Sequence, residues 1–191
     1  MPSRKGDIIE AKRHSQGAAG RSDGAARPLY TPEQRRRRDA TVWTLVQGVL
    51  APLQFLVFLV SLVLVIRFLA TGEGRFVAEA SIVLKTLVLY AIMVTGSIWE
   101  KVVFGRWLFA DAFFWEDVVS FLVLALHTLY LVALFADWGG ATAQMTLALA
   151  AYLAYVVNAG QFLWKLRMAR LQGDATRPAP SAVALRDGAP V

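Results

Sequence analysis

The chain has 191 residues, of which 57% are hydrophobic and only 18% charged, and its mean hydropathy is +0.48. These values exclude an ordinary water-soluble domain, in which about a quarter of the residues are charged. The absence of cysteine excludes disulfides, thiolate metal sites, iron–sulfur clusters and cysteine nucleophiles.

Charge is concentrated at the two ends of the chain. Residues 1–40 contain ten Lys or Arg and five Asp or Glu, residues 41–164 contain five and seven, and residues 165–191 contain five and two. The basic run at 35–38 lies four residues before a long apolar segment, where basic residues usually fix membrane orientation. We therefore predict a protein embedded in the lipid bilayer, with no nucleic-acid partner.

The two ends of the chain differ in composition from the middle. Residues 1–29 mix basic and small residues without apolar periodicity, which predicts a disordered basic cytoplasmic arm. A short interfacial helix should follow, because Thr31 can act as its N-cap, Pro32 suits the first helical position and Gln34 completes a capping box. Residues 172–191 are rich in Pro, Ala and Gly, which predicts a disordered tail.

Four apolar segments occupy the middle of the chain. Each reaches or exceeds the roughly 20 residues that cross about 30 Å of hydrocarbon, and they lie at about 42–69, 80–104, 116–135 and 142–163. Their short links predict an all-α, antiparallel bundle of four transmembrane helices over residues 30–171, with a kink at Pro52. The bias of Lys and Arg between the links predicts that both termini are cytoplasmic.

Polar side chains recur at one depth in all four predicted helices, in the half nearer the cytoplasm. They are Gln47, Gln54, Ser97, Glu100, Glu116, Asp117, Ser120, Tyr155, Asn158 and Gln161. Their spacings of three and seven residues give each helix one polar stripe. Since unpaired polar groups in hydrocarbon cost several kcal/mol each, we predict that the stripes face inward around a water-reachable pocket.

Less specific interpretations stay open for several of these residues. Membrane amides often only bond neighbouring helices, and carboxylates near the interface can simply be solvated. His127, near mid-depth, could be a core hydrogen-bond donor or a ligand. Lys85 is expected to extend its ammonium group to the opposite interface. The Trp- and Phe-rich stretch 98–117, which includes Trp99 and Trp115, fits either an interfacial aromatic belt or a platform for a planar ligand.

Five ordered motifs resemble a known family. They are LYTPEQRRRRDA at 29–40, WTLVQGVLAPLQF at 43–55, TGSIWEKVVFG at 95–105, FFWED at 113–117 and YVVNAGQF at 155–162. Together they resemble the small membrane hydratase of bacteriochlorophyll synthesis, the 2-vinyl bacteriochlorophyllide hydratase or chlorophyllide a 3¹-hydratase family, over about residues 29–171.

The resemblance implies a hydro-lyase that adds water across the 3-vinyl group of a magnesium chlorin and gives a 3-(1-hydroxyethyl) product. Its substrate would be chlorophyllide or bacteriochlorophyllide, and it would need no cofactor. It also implies a multi-pass protein of the bacterial inner membrane, cytoplasmic or intracytoplasmic, which could contact other enzymes of the pathway. The chain has no dinucleotide or Walker motif.

Chemical reasoning then assigns roles at the site. The reaction needs a protonated acid and a second group that holds water, and burial with mutual repulsion lets two carboxyls divide these roles. Glu100 or Glu116 is the candidate acid, and Asp117 the group that holds water. Candidate substrate-binding residues are His127, Asn158, Gln161, Gln47, Gln54, Trp99, Trp115, Lys101 and Arg106. No intrinsic metal site is predicted. His127 is a candidate axial ligand to the substrate magnesium, and Lys101 and Arg106 are candidates to pair with the substrate propionate.

Two other functional classes fit part of the pattern. A small four-helix exporter would also place a carboxylate such as Glu100 in a central cavity. A pigment-binding assembly or scaffold protein would explain the aromatic residues and His127 without needing the carboxylate cluster.

Overall fold

The computed structural model describes residues 29–175, which form five α-helices and no strand. The disorder predicted for residues 1–29 and 172–191 falls mainly on residues outside this described part, but residues 172–175, predicted to be disordered, belong to the last helix. The first helix, α1 (Pro32–Ala40), begins with the predicted capping box. Gln34 N donates to Thr31 Oγ1 at 3.2 Å, and Thr31 N donates to Gln34 Oε1 at 2.9 Å. The capping box is therefore confirmed.

Four long helices follow: α2 (Val42–Thr71), α3 (Arg75–Phe104), α4 (Phe114–Phe135) and α5 (Gly140–Ala175). All four are long and apolar enough to cross a membrane, which confirms the predicted fold class. Helix α2 continues through Pro52. Helix α5 extends beyond the predicted end near 163, because Lys, Leu and Arg form helix as readily beyond the apolar segment as within it.

Tight turns join the helices into two antiparallel hairpins, α2–α3 and α4–α5. Gly72 ends α2 with φ of 74° and donates its N–H to Phe68 O at 2.7 Å. Gly105 ends α3 and begins the link between the two hairpins. It has the same left-handed conformation, with φ of 80°, and donates its N–H to Lys101 O at 3.0 Å. Glycine adopts this conformation without the steric cost of a Cβ atom.

Packing is more extensive within each hairpin than between the two. We call the surface where the hairpins face each other the seam. Its apolar part includes Phe58, Val65, Ile82, Val123 and Tyr152, all of which are buried in one cluster. Polar contacts cross the seam near its middle, from Lys85 to His127 and between Ser61 and Tyr152. Acids of both hairpins lie at the bundle end where α3 stops and α4 begins, and we call this end the carboxylate end.

Candidate active site

Two acids from different hairpins meet at the carboxylate end. Glu100 lies in the last two turns of α3 and Asp117 in the first turn of α4, and they are only 5% and 4% exposed. Their carboxyl groups accept hydrogen bonds from the consecutive backbone amides of Ala110 and Phe109, which brings the two groups close together. If both groups were ionised, two negative charges would repel each other in a buried site. The arrangement therefore favours one proton shared between the two carboxyls.

The backbone of the loop at residues 105–113 holds both acids. Phe109 N donates to Asp117 Oδ2 at 2.7 Å, and Ala110 N donates to Glu100 Oε2 at 3.3 Å. Phe109 has φ of 57°, a left-handed conformation that costs a bulky residue energy and marks a segment under constraint. The loop thus covers both acids, which differs from the predicted pocket open to water.

The third acid, Glu116, has a different partner. Its Oε2 lies 2.5 Å from Lys165 Nζ on α5, and both side chains are largely buried. Glu116 is thus paired with a cation, whereas Glu100 lies beside another carboxyl. The structure therefore distinguishes two acids that the sequence left equivalent.

We expect the Glu116→Gln and Lys165→Met variants each to lower the free energy of unfolding by about 1 to 3 kcal/mol, because each leaves a buried charge without its partner. The double variant should lose less than the sum of the two single losses. Denaturation of the four proteins in the same detergent measures this coupling. Strictly additive losses would show that the two groups do not stabilise each other.

Aromatic rings surround the base of the loop. The aromatic box consists of Tyr30, Trp99, Phe104, Phe113 and Phe162. Phe113 is its centre, with ring centroids 5.8 Å from Trp99, 5.8 Å from Phe104 and 5.9 Å from Phe162. Trp99 also donates its Nε1–H to Thr44 Oγ1 at 2.9 Å.

The second tryptophan of the predicted platform lies elsewhere. Trp115 is 69% exposed and contacts the Phe114 ring at 5.4 Å. The structure thus separates Trp99, inside the box, from Trp115, which faces outward as residues of an interfacial aromatic belt do.

The predicted amide residues fall into two groups. Gln47 Nε2 donates to Thr95 Oγ1 at 2.7 Å, and Asn158 Nδ2 donates to Ser120 Oγ at 2.8 Å. In contrast, Gln54 is buried with neither amide atom hydrogen-bonded to any described residue. Asn158 Oδ1 and Gln161 Oε1 are likewise buried without a partner within residues 29–175. Such atoms are suited to bind water or a polar ligand.

The two basic residues predicted at the mouth are exposed and engaged locally. Lys101 Nζ donates to Gly105 O at 3.0 Å, and Arg106 pairs with Asp111 at 3.0 Å. Both could exchange these exposed contacts for a substrate carboxylate, since surface ion pairs contribute little to stability.

His127 and Lys85 form a separate polar cluster near the middle of the bundle. The prediction that Lys85 reaches the interface is wrong: its side chain is wholly buried and its ammonium donates to His127 Nε2. The other imidazole nitrogen, Nδ1, lies 2.7 Å from Val123 O. Both nitrogens of His127 are therefore engaged, and magnesium ligation would require Lys85 to withdraw.

One signal in the sequence could have revealed the burial of Lys85. Ala78, Ile82, Lys85 and Leu89 are spaced by four, three and four residues, which places them on one face of α3. All four are buried.

Comparison with known proteins identifies the family. The profile of the family described as 2-vinyl bacteriochlorophyllide hydratase matches residues 30–168. The chain belongs to this family. It is 69% identical over 151 residues to the 2-vinyl bacteriochlorophyllide hydratase of Cereibacter sphaeroides, covering 79% of this chain and 94% of that protein. It is 71% identical over 144 residues to the enzyme of the same name from Rhodobacter capsulatus, covering 75% and 84%.

Membership of the 2-vinyl bacteriochlorophyllide hydratase family confirms the resemblance seen in the motifs. No solved structure matches the chain significantly. The region matched by the family profile contains the acids, the loop and the aromatic box, from Tyr30 to Lys165. Within residues 29–175, no group of three or more His, Asp or Glu side chains is arranged to hold a metal ion.

Proposed function

We propose that this chain is a hydro-lyase that adds water across the vinyl group of chlorophyllide a or its bacteriochlorin equivalent. This group is numbered 3 in current chlorin nomenclature and 2 in the names of the relatives. The product would carry a 3-(1-hydroxyethyl) group. The observation that carries the proposal is the family match, together with the names of two relatives about 70% identical to this chain.

The meeting of Glu100 and Asp117 supports a mechanism of acid catalysis. A protonated Glu100 gives its proton to the terminal vinyl carbon, and the macrocycle delocalises the resulting positive charge on the inner carbon. Water attacks that inner carbon, and Asp117 accepts a proton from the attacking water. Each such proton transfer typically contributes about 10²- to 10⁴-fold in rate.

The closeness of the two carboxyls, which consecutive loop amides hold, also suggests how the site resets. After one turnover Glu100 is ionised and Asp117 is protonated, so a single proton transfer between neighbouring oxygens restores the starting state. No other proton donor or acceptor is consumed, because the reaction adds one complete water molecule. Glu116 is paired with Lys165 and does not lie beside a second carboxyl, which supports Glu100 as the acid.

Buried amides next to the acids could orient the water. Asn158 is fixed by Ser120 and keeps its Oδ1 without a partner among the described residues, as does Gln161 Oε1. One of these oxygens can accept a hydrogen bond from the water proton that Asp117 does not take, which directs the oxygen lone pair at the cation. We assign these two residues to water binding.

The membrane setting completes the proposal. The chain is a multi-pass membrane protein by its four apolar helices, and we propose that it lies in the bacterial inner membrane with both termini cytoplasmic. The carboxylate end would then face the cytoplasm. Contact with another enzyme of the pathway would let the poorly soluble product pass on without leaving the membrane.

A direct assay tests the function. The purified chain in lipid nanodiscs is incubated with chlorophyllide a, and we expect a blue shift of the red absorption band and a pigment heavier by one water molecule. A heat-denatured sample is the control. Pigment that binds but keeps its mass would favour a scaffold protein, and pigment moved across sealed vesicles without hydration would favour an exporter.

A further inference from the structure

The buried Lys85 ammonium is the centre of a cluster that the proposed mechanism does not use. It donates to His127 Nε2 on α4 and lies 4.3 Å from the centroid of the Tyr155 ring and 5.1 Å from that of Tyr152, both on α5. Tyr152 in turn is 2.5 Å from Ser61 Oγ on α2. All four long helices therefore contribute to the cluster, and it lies on the seam.

Lys85 makes fewer hydrogen bonds than a buried ammonium group can donate. An ammonium group has three N–H donors, and among residues 29–175 Lys85 has one hydrogen-bond acceptor, His127, and no carboxylate within ion-pair distance. The tyrosine faces supply only weaker cation–π attraction. Buried cations without a compensating oxygen are costly and mark binding sites in membrane proteins.

The cluster lies at a defined depth below the acids. His127 follows Asp117 by ten residues on α4, about 15 Å along the helix axis, and Lys85 precedes Glu100 by fifteen residues on α3, about 22 Å. The vinyl group and the ring ketone of a chlorophyllide lie at opposite edges of the macrocycle, so a pigment whose vinyl group is at the acids can point its ketone toward the depth of Lys85.

The interval between the two sites contains further buried polar atoms that have no hydrogen-bond partner within the described part of the chain. Phe58 and Tyr155 pack with centroids 5.0 Å apart across the seam. Gln54 precedes Phe58 by one turn, and Asn158 follows Tyr155 by three residues. In antiparallel helices both therefore lie one turn nearer the acids. The unpartnered amide atoms of Gln54 and Asn158 thus lie between the acids and Lys85.

We propose that Lys85 anchors the substrate by donating a hydrogen bond to the pigment's ring ketone, the oxygen acceptor opposite the vinyl group. This inference rests on the proposed function. The macrocycle inserts along the seam, where packing is less extensive than within either hairpin, with its vinyl group at Glu100 and Asp117. His127 orients the ammonium group and does not touch the pigment.

Pigment binding tests this anchor without depending on turnover. The dissociation constants of chlorophyllide a and of an analogue whose ring ketone is reduced to a methylene group are measured by fluorescence quenching. For the unmodified chain we expect the analogue to bind about 10- to 100-fold more weakly, the range for a hydrogen bond from a charged donor. For Lys85→Met the two pigments should bind equally, and Lys85→Arg, which keeps a cationic donor, should retain part of the preference.

A merely structural role gives a different pattern. If Lys85→Met weakens both pigments by the same factor, or if the unmodified chain does not distinguish them, the anchor is wrong. Circular dichroism establishes that each variant is folded, and Lys85→Arg keeps the comparison available if Lys85→Met does not fold. A chain that prefers the ketone but never hydrates it would contradict the proposed function and leave the anchor standing.

Discussion

Replacing Glu100 by Gln, or Asp117 by Asn, is expected to lower the rate of pigment hydration about 10²- to 10⁴-fold. Each variant keeps the shape of its side chain and an oxygen that can accept a hydrogen bond. Glu100→Gln removes the proton donor, and Asp117→Asn removes the proton acceptor. The Kd of chlorophyllide a should change little, because neither group is proposed to supply much ground-state binding. Initial rates from the absorption shift, with Kd from fluorescence quenching, measure both quantities.

Glu79→Gln is the matched control for this prediction. Glu79 lies on the same helix as Glu100, at the opposite end of the bundle, and pairs with Arg75 at 2.5 Å. The control should hydrate the pigment at the unmodified rate. Full activity of the Glu100→Gln variant would show that Glu100 is not the acid. An equal loss of hydration rate in Glu79→Gln would indicate a general effect of removing a charge from α3.

Phe113→Ala is expected to lower the free energy of unfolding by about 3 to 5 kcal/mol, the usual cost of removing a buried phenyl ring. Phe113 is 2% exposed. Its ring, at the end of the loop, packs against Phe104 at the end of α3, Phe162 on α5 and Tyr30 before α1. Because the loop backbone holds both acids, the hydration rate should fall as well. Denaturation in detergent and initial rates are the two measurements.

Phe113→Leu separates volume from aromatic character. Leucine keeps most of the buried volume, and volume-conserving substitutions usually cost less than about 1.5 kcal/mol. We expect this variant to hydrate the pigment at a rate close to that of the unmodified chain. If Phe113→Ala were as stable and as active as Phe113→Leu, the aromatic box would not be what positions the loop.

The regular features of the fold could be predicted from the sequence. Hydropathy reveals four spans because hydrocarbon tolerates few charges over 20 residues, and the cap at Thr31 follows from the local chemistry of Thr, Pro and Gln. The polar stripes also placed Glu100 and Asp117 on facing helices. In each case the deciding interaction is local in sequence or repeats with the period of a helix.

The sequence did not predict the interactions that depend on where a helix ends or on backbone atoms. The predicted second span began near residue 80, which placed Lys85 close to an interface. Helix α3 begins at Arg75, so Lys85 lies ten residues, or about 15 Å, from its start. The amide donors of Phe109 and Ala110 have no signature in the sequence, because every residue except proline carries the same N–H group.

The ion pair of Glu116 with Lys165 was missed for a related reason. Lys165 lies beyond the fourth apolar segment, which ends near residue 163, whereas α5 continues past it and brings its side chain to the first turn of α4. An apolar segment therefore predicts the part of a helix within the membrane better than it predicts where the helix ends.

The double variant Glu100→Gln/Asp117→Asn gives the most direct measurement of whether the two carboxyls act as one catalytic unit. Its kcat for hydration of chlorophyllide a is compared with those of the single variants under the same conditions. Residues that share one proton and one step give non-additive losses, so we predict that the double variant is no slower than the slower single variant. A double variant whose loss equals the product of the two single losses would show that the carboxyls act independently, and unimpaired single variants would show that neither takes part.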